Sequence, residues 1–282
     1  MILSFHPIIE ADRNIICAGR APDRNDRAAI QAAAAVILPQ GCSEALYRMA
    51  RANCEHVFPN LDARFDFPGK MGQIRLFRSL GVAHPFTRLF SSVAEFESLK
   101  AETAFPVVIK WDWGGEGDTV FKVEHPDTLT RVLERTRACE RSGQFGFLVQ
   151  AFIPSDGKAL RMTRIGRRRI DYWRVQKDPR CFGSALAQGA QIDYEIPEDL
   201  RSAAGAAVAT VVAETGLQLA GFDFIFERDA LLNGRIEPLM LEINYFFGRR
   251  GLGGSERYYA MLTAEVDAWL AERGFVRHED GG

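Results

Sequence analysis

The chain has 282 residues, 47% of them hydrophobic, and a formal net charge of −2 at pH 7. A chain of this length can bury a large core and is expected to form about two domains. The small net charge excludes a global field that would attract nucleic acid or an anionic membrane, so neither is an expected partner.

The cysteines and the N-terminus predict a reduced, cytoplasmic protein. The 5 cysteines form no C-x-x-C pair and no Cys/His cluster with zinc spacing, which favours free core thiols. The first residues lack the charged and apolar regions of a signal peptide. No apolar run reaches the length of a membrane span.

Residues 1–68 are expected to form a small N-terminal α/β domain. Apolar, β-prone runs alternate with helical segments, a pattern that favours a parallel sheet. No glycine-rich phosphate fingerprint follows these strands, so a dinucleotide-binding fold is not expected. The predicted strands cover residues 2–5, 14–17, 35–38 and 55–58, and the predicted helices cover residues 26–34 and, with Ser43 as N-cap, 43–51.

Residues 69–154 are expected to form a second domain. Within it an apolar strand ends in the cation Lys110, just before a glycine-rich loop. The pattern Ser92-x-x-Glu95 is typical of a capping box at the start of a helix. The other predicted helices cover residues 70–80 and 126–142, and the predicted strands cover residues 87–90, 105–110, 119–123 and 147–154.

The loop from Trp113 to Asp118 contains Gly114, Gly115 and Gly117. Glycines let a backbone approach phosphate oxygens closely, and their conformational freedom suits a loop that closes over a ligand. We therefore expect this loop to be poorly ordered without nucleotide and protected with it. The alternative is an ordinary rigid hairpin turn, but the lysine placed just before the loop favours a phosphate contact.

Residues 155–275 are expected to form a third domain. Its first hairpin pairs residues 158–164 with residues 167–175, and in it Arg161 and Arg174 are polar exceptions among apolar neighbours. Residues 182–189 are expected to be irregular, and the predicted helices cover residues 197–215 and 255–273.

The strongest chemical signal lies in residues 221–244, where two strand-like runs flank Asn233-Gly234. This dipeptide is typical of a hairpin turn and would place Asp223 opposite Asn244, on the face that also carries Glu242. Three oxygen ligands would then converge, which suits a hard cation such as Mg²⁺. The alternative is a surface hairpin with a solvated acidic face, which the apolar neighbours disfavour.

Over about residues 69–254 the chain resembles the ATP-grasp superfamily and, within it, the RimK-like and glutathione-synthetase-like carboxylate–amine ligases. Each motif alone is weak, but their order and spacing together are specific. The residues that carry the resemblance are Gly69-Lys70, Val107-Val108-Ile109-Lys110 with the loop Gly114 to Asp118, Leu148-Val149-Gln150-Ala151-Phe152-Ile153, Lys158-Ala159-Leu160-Arg161, Trp173-Arg174, Ala220-Gly221-Phe222-Asp223 and Leu241-Glu242-Ile243-Asn244.

The resemblance implies an α/β fold in which two α+β subdomains, residues 69–154 and 155–275, grip ATP behind a small pre-ATP-grasp α/β domain, residues 1–68. It implies ATP with Mg²⁺ or Mn²⁺, and it is compatible with a homo-oligomer. The implied contacts are Lys70, Lys110, Gly114, Gly115 and Gly117 for the phosphates, Gln150, Ala151, Phe152 and Ile153 for adenine, Arg161 and Arg174 for the γ-phosphate or an acylphosphate, and Asp223, Glu242 and Asn244 for the metal.

Some positions depart from the family pattern. Many relatives have Glu at Ala151 and Asp at Ala159, where acidic groups contact the purine or ribose, so the nucleotide preference is left open. An Asn that RimK-like relatives carry before the second metal strand is not evident, and Ser184 or Ala185 lies near that place.

The resemblance implies an ATP-dependent ligase that joins a small-molecule carboxylate to a small-molecule amine through an acylphosphate. Arg249 and Arg250 follow the metal strand and are either contacts for a substrate carboxylate or loop charges. Two other functions remain open at this point. One is a small-molecule kinase on the same fold, and the other is a nucleotide-binding module without turnover, which the intact lysines and metal motif disfavour.

Overall fold

Three sheets organise the computed structural model, and their strands come from successive parts of the chain. The structure describes residues 1–17, 19–99, 103–114 and 118–277. It confirms the mixed α/β fold class. None of the helices in these ranges combines the length and the apolar character of a bilayer-spanning segment.

The N-terminal sheet is parallel, as the alternation of strands and helices predicts. Its strands are β1 (Ile2–Ser4), β2 (Arg13–Asn14), β3 (Ala35–Ile37) and β4 (Val57–Phe58), and its helices are α1 (Arg24–Gln31), α2 (Glu44–Asn53) and α3 (Asp62–Asp66). The strand order is β2-β1-β3-β4. Helix α2 starts where predicted, because the Ser43 side chain accepts a hydrogen bond from the N–H of Leu46 at 3.3 Å. Helix α1 starts earlier than predicted, because Asp23 and Asp26 form a capping box.

The second sheet is antiparallel. Its strands are β5 (Thr87–Phe90), β6 (Val107–Trp111), β7 (Val120–Val123) and β8 (Phe147–Ala151), and the helices around it are α4 (Gly69–Ser79), α5 (Val93–Ser98) and α6 (Pro126–Arg141). The strand order β5-β8-β6-β7 places β6 inside the sheet. The capping box predicted for α5 is only half formed, because Ser92 accepts from the N–H of Glu95 while the Glu95 carboxylate accepts from the N–H of Ser91.

The third sheet is also antiparallel and has the order β11-β10-β9-β12-β13, where the strands are β9 (Lys158–Ile165), β10 (Arg168–Val175), β11 (Gln191–Asp193), β12 (Leu219–Ile225) and β13 (Leu239–Asn244). The helices in this part are α7 (Glu198–Thr215), α8 (Arg228–Leu232) and α9 (Ser255–Ala271). The predicted hairpin of β9 and β10 is confirmed, whereas the short elements β11 and α8 have no counterpart in the predictions.

The register between β12 and β13 corrects a sequence prediction. Asp223 lies opposite Glu242, and Asn244 lies opposite Gly221 rather than opposite Asp223. The physical reason is the connection, because α8 replaces a two-residue turn and the register shifts after Asp223. Residues directly opposite each other on neighbouring strands share a face, so Asp223, Glu242 and Asn244 still converge.

The cores of the sheets are shared across the chain. One cluster joins α4, α7 and the third sheet through side chains such as Ile74, Val208 and Phe222. Another joins the N-terminal sheet to α9 through side chains such as Ile37 and Trp269. Because these clusters cross the predicted domain boundaries, the division at residues 1–68, 69–154 and 155–275 stays a prediction.

Candidate active site

A cleft of about 810 Å³ opens between the second and third sheets. The linker from β8 to β9 runs along it, and the four residues predicted to contact adenine, Gln150, Ala151, Phe152 and Ile153, all line it. The second sheet contributes Lys110 and Lys122, and the third sheet contributes Ala159 and Leu241. The cleft therefore brings one predicted phosphate contact and the predicted adenine segment into a single space.

The linker leaves backbone donors free for a ligand. The side-chain amide of Gln150 donates to Thr87 Oγ1 at 2.9 Å, and the N–H of Ala151 donates to the carbonyl of Phe86 at 2.8 Å. Within the described ranges, the N–H groups of Phe152 and Ile153 have no hydrogen-bond partner. Of the four predicted adenine contacts, Phe152 and Ile153 are therefore the ones whose backbone N–H groups could pair with a heteroaromatic base in the cleft.

Lys70 lies at the start of α4 and reaches the beginning of the glycine loop. Its Nζ donates to the carbonyl oxygens of Gly114 at 2.8 Å and Trp113 at 3.3 Å. The preceding Gly69 has a φ of 70°, and a Cβ there would lie 2.5 Å from a carboxylate oxygen of Asp112, so only glycine fits. Burial lowers the pKa of Lys70, against the raising effect of nearby carboxylates. Gly115 and Gly117 lie outside the described residues.

Lys110 is a cation without a salt-bridge partner among the residues that the structure describes. It sits inside β6, paired with Val120 and Leu148 on the neighbouring strands, and it lines the cleft. Burial, together with the charge of Lys70, lowers the pKa of Lys110 to about 8, against the raising effect of Glu242 and Asp223. Burial disfavours the protonated form of Lys110, and an anion bound beside it would stabilise that form.

Asp223 anchors the two predicted catalytic arginines. Arg161 Nε and Nη2 donate to its two carboxylate oxygens, at 2.5 Å and 2.9 Å. Arg174 Nη2 lies 2.7 Å from Asp223 Oδ2, and Asn244 Nδ2 donates to the same oxygen at 2.9 Å. Burial would raise the pKa of Asp223, but the charges of both arginines outweigh it and hold the pKa at about 2. One buried carboxylate therefore holds both arginines in place.

Glu242 is the carboxylate that the site leaves unused. It lies opposite Asp223 on β13, and within the described ranges it makes neither a hydrogen bond nor a salt bridge. Burial raises the pKa of Glu242, and the negative charge of Asp223 adds to this, while Lys70 and Lys110 act in the opposite direction. An ionised carboxylate beside another carboxylate is stabilised by a cation.

The donor set fits a hard divalent cation. Glu242 offers both carboxylate oxygens, and Asn244 offers Oδ1 because its amide nitrogen is bound to Asp223. Both carboxylate oxygens of Asp223 already accept from arginine or amide donors, so Asp223 would bind the cation only through its remaining lone pairs. The described residues contain no cluster of three or more His, Cys, Asp or Glu side chains, so the set depends on the amide of Asn244.

Gln73 is a positioning residue that sequence reasoning missed. On α4, three residues after Lys70, its side-chain amide donates to the carbonyl of Ile243 at 2.9 Å and accepts from the N–H of Ile243 at 2.8 Å. Ile243 lies between Glu242 and Asn244 on the edge strand β13, so Gln73 replaces the missing neighbouring strand. One helix therefore fixes both a lysine and the strand that carries the metal ligands. A lone Gln in an apolar helix gives no sequence signal for this.

Replacing Gln73 by leucine is expected to destabilise the protein by about 1–3 kcal/mol, because the buried N–H and C=O of Ile243 lose their partners. It should also weaken metal-dependent nucleotide binding, since the Glu242 strand loses its attachment to α4. Urea unfolding and calorimetric titration with Mg²⁺-ATP measure the two effects. Gln73→Glu is the second variant: its carboxylate can accept from the N–H of Ile243 but, when ionised, cannot donate to the carbonyl. Wild-type stability in either variant would contradict this role for Gln73.

Arg249 and Arg250, the two predicted substrate contacts, lie in different surroundings. Arg249 donates to the hydroxyl oxygens of Tyr259 at 2.8 Å and Ser255 at 3.2 Å, and its guanidinium lies 4.8 Å above the ring of Tyr258. Arg250 is exposed and opens a short 3₁₀ turn. Arg249 is therefore held against α9, and only Arg250 fits the alternative of a loop charge.

The comparisons with known proteins agree with this fold. The family model of the RimK-like ATP-grasp domain matches residues 69–261. No curated protein sequence gives a significant match. The fold is similar to that of a RimK domain ATP-grasp protein from Sphaerobacter thermophilus DSM 20745, with a TM-score of 0.60 and 18% identity over 83% of this chain and 81% of that chain.

Two further solved structures share the fold. D-alanine–D-alanine ligase from Bacillus anthracis has a TM-score of 0.62 and 13% identity over 92% of this chain and 84% of that chain. The D-cycloserine synthetase DcsG has a TM-score of 0.61 and 18% identity over 97% of this chain and 99% of that chain. At such identities the structures establish the fold, whereas the family model covers more than half of the chain. The chain therefore belongs to the RimK-like ATP-grasp family, whose members are ATP-dependent enzymes.

Proposed function

We propose that the protein is an ATP-dependent carboxylate–amine ligase that works through an acylphosphate. The observation that carries this proposal is the arrangement of Lys70, Lys110 and Glu242. Their charges act on one another, yet none of the three forms a salt bridge with another described residue. Two cations and a carboxylate whose charges act on one another without a salt bridge, with Lys110 lining the cleft, match a polyphosphate with a divalent cation between them.

In the proposed reaction, an oxygen of the substrate carboxylate attacks the γ-phosphorus of ATP, and the bond from that phosphorus to the ADP oxygen breaks. The amine nitrogen then attacks the acyl carbon. A C–N bond forms, the C–O bond to phosphate breaks, and the amine loses a proton. Both steps build negative charge on phosphoryl oxygens, so catalysis depends on positioning and charge neutralisation.

The residues of the chain divide this work between them. Lys70 and Lys110 bind the phosphates, and the backbone N–H groups of Phe152 and Ile153 pair with the edge of the base. Arg161 and Arg174, oriented by the Asp223 carboxylate, neutralise the transferred phosphoryl group and the acylphosphate.

The metal would be held by Glu242, Asn244 and the shared oxygens of Asp223. When bound, Mg²⁺ supplies charge neutralisation to the phosphates. Calorimetric titration with Mn²⁺-ATP in place of Mg²⁺-ATP compares the two metals.

An ADP-release assay over pairs of small carboxylates and amines, with ATP and Mg²⁺, tests the proposal. A ligase releases ADP only when both a carboxylate and an amine are present. A kinase on this fold would release ADP with a hydroxyl compound and no amine, and a binding module would hold ATP without releasing ADP. Either of these results would replace the ligase proposal.

The affinity for ATP is expected to fall as the pH rises from about 7 to about 9, because Lys110 loses its proton with a pKa of about 8. Phosphate binding favours the protonated amine, so a proton should be taken up on binding near this pH. Calorimetry in buffers with different ionisation enthalpies measures that uptake.

Two variants separate the charge of Lys110 from other contributions. Lys110→Ala should weaken ATP binding by about 1.5–3 kcal/mol at neutral pH, the scale of a charge-assisted hydrogen bond. Lys110→Arg keeps the charge at every pH in this range and should flatten the pH profile. A wild-type-like pH profile in Lys110→Arg would assign the effect to another group.

A further inference from the structure

Arg64 is a partly buried cation that the proposed chemistry does not use. It lies on α3 between two aromatic rings, with its guanidinium carbon 4.6 Å from the ring centroids of Phe65 and Phe246. No described carboxylate forms a salt bridge with it. Burial lowers the pKa of Arg64, because the more distant counter-charges only partly compensate for lost water. The side chain therefore carries a charge that the fold itself does not neutralise.

The guanidinium presents an open edge. Its two hydrogen bonds to protein both use Nη1, which donates to the carbonyl oxygens of Gln40 at 3.0 Å and Cys42 at 3.4 Å. Among the described residues, nothing accepts a hydrogen bond from Nε or Nη2 of Arg64. These two nitrogens form the planar fork that fits a carboxylate with two parallel hydrogen bonds.

Other arginines of this protein use the same fork for carboxylates. Arg161 binds Asp223 through Nε and Nη2. Arg180 binds Asp178 in the same way, at 3.0 Å and 2.8 Å. Arg64 has the fork in place and lacks the carboxylate.

A second unpaired group lies beside Arg64. Tyr245 is 8% exposed, and its hydroxyl has no hydrogen-bond partner among the described residues. Burial raises the pKa of Tyr245, and the Arg64 charge is close enough to act on it in the opposite direction. A buried hydroxyl without a partner is costly and uncommon, so it points to a bound group that completes it.

Both groups adjoin the end of the strand that carries the proposed metal ligands, because Tyr245 follows Asn244 and Arg64 lies over the ring of Phe246. Tyr245 and Phe246 directly continue β13, which ends at Asn244. Phe246 is 63% exposed, and it lies only two residues past Asn244, or about 7 Å along an extended chain. Gln40, which binds both Arg64 and the carbonyl of Tyr245, follows β3 at the carboxyl edge of the parallel sheet. Ligands of open α/β sheets bind at that edge.

We propose that Arg64 and Tyr245 bind a carboxylate that the ligation leaves intact, so that one of the two substrates is an amino acid or another acid with a second functional group. This inference rests on the proposed ligase function. The reacting carboxylate is consumed at the phosphates, so the group at Arg64 is a different one. The exposed ring of Phe246 packs against the apolar part of the same molecule.

A binding screen tests this without requiring turnover. Thermal unfolding of the full chain is followed with the common L- and D-amino acids and with the matching amino acid amides, each in the presence of Mg²⁺-ADP. Wild type is expected to be stabilised by at least one acid and not by its amide, which lacks the charge. Calorimetric titration then gives the affinity for that acid, and ADP release with that acid gives its KM.

Matched variants locate the contact. Arg64→Gln should lower the affinity for the acid and raise its KM by about 10- to 100-fold, with the KM for ATP unchanged. Arg64→Lys should recover only part, because it keeps the charge and loses the fork, and Tyr245→Phe should give a smaller loss. Arg88→Gln is the control, since Arg88 also lies over a phenylalanine ring, 5.1 Å from the centroid of Phe90, away from this site.

The possible outcomes separate the two proposals. If no acid stabilises wild type more than its amide, or if Arg64→Gln keeps the preference, the inference is overturned. If the preference exists and disappears in Arg64→Gln but no amine promotes ADP release, the carboxylate site stands and the ligase proposal fails. When the acid is also a substrate, product analysis shows whether it served as the carboxylate donor or as the amine.

Discussion

Glu242→Gln is expected to reduce ADP release by at least about 100-fold while the protein stays folded. The carboxylate of Glu242 makes no hydrogen bond or salt bridge with the described residues, so its replacement removes no contact of the fold. It does remove the group proposed to bind the metal. ADP release and circular dichroism, measured on the same preparation, separate loss of activity from loss of structure.

The same variant is expected to be at least as stable as wild type. Burial and the neighbouring Asp223 raise the pKa of Glu242, which means that its ionised form is disfavoured in the folded state. An acid with a raised pKa destabilises the native protein at neutral pH, and this cost shrinks as the pH falls and the group becomes protonated. The gain in melting temperature of Glu242→Gln should therefore be larger at neutral than at acidic pH.

Glu237→Gln is the matched control, because Glu237 is exposed just before β13. It should change neither activity nor melting temperature. A folded Glu242→Gln protein with wild-type ADP release would remove Glu242 from the metal site.

Asp223→Asn is expected to destabilise the protein by about 3–5 kcal/mol, the cost of leaving a buried charge without its partner. Arg161 is 5% exposed and Asp223 is 4% exposed, so water cannot replace the lost ion pair. Asparagine keeps only one oxygen acceptor, so some of the donors from Arg161, Arg174 and Asn244 lose their partner. Activity should fall as well, because both arginines lose the carboxylate that orients them. Chemical denaturation with Arg161→Gln and the double variant completes a cycle that measures the coupling.

The pH dependence of stability gives an independent check. The pKa of Asp223 is held at about 2 in the folded protein, below its ordinary value of 3.8. A lowered pKa means that the stabilisation is fully present above the ordinary value and is lost as the pH falls through about 2. Wild type should therefore show a loss of stability in this acidic window that Asp223→Asn does not show. A cost below about 1 kcal/mol for Asp223→Asn would mean that the cluster contributes little.

The sequence predicts the two hairpins of the third sheet and the shared face of Glu242 and Asn244. A strand has a period of two, so Glu242 and Asn244 had to share a face wherever β13 lay in the sheet. Apolar neighbours on both strands required burial, which excluded a solvated hairpin. The exact partner of Asp223 was not predictable from the turn, because α8 changed the length of the connection and a register shift followed.

The role of Asp223 as an arginine anchor needed the tertiary structure. Its ion pair with Arg161 depends on β9 and β12 being neighbours, with the two residues directly opposite each other. The contact of Gln73 with Ile243 joins residues 170 positions apart, and no local pattern reports such a bond. The sequence could not show that Arg64 has no carboxylate partner, because this depends on which side chains the fold places around it. Local rules fix faces and caps, whereas long-range pairing decides which polar groups are satisfied.

The measurement that tests the central claim most directly follows oxygen from the carboxylate to phosphate. The ADP-release assay first identifies the carboxylate and the amine. The carboxylate is then labelled with ¹⁸O and incubated with ATP, Mg²⁺ and the amine. The released phosphate is analysed by mass spectrometry. A ligase that forms an acylphosphate transfers one labelled oxygen to phosphate for each amide bond formed. Amide formation with unlabelled phosphate, or ADP release without any amide, would contradict the mechanism proposed for this cleft.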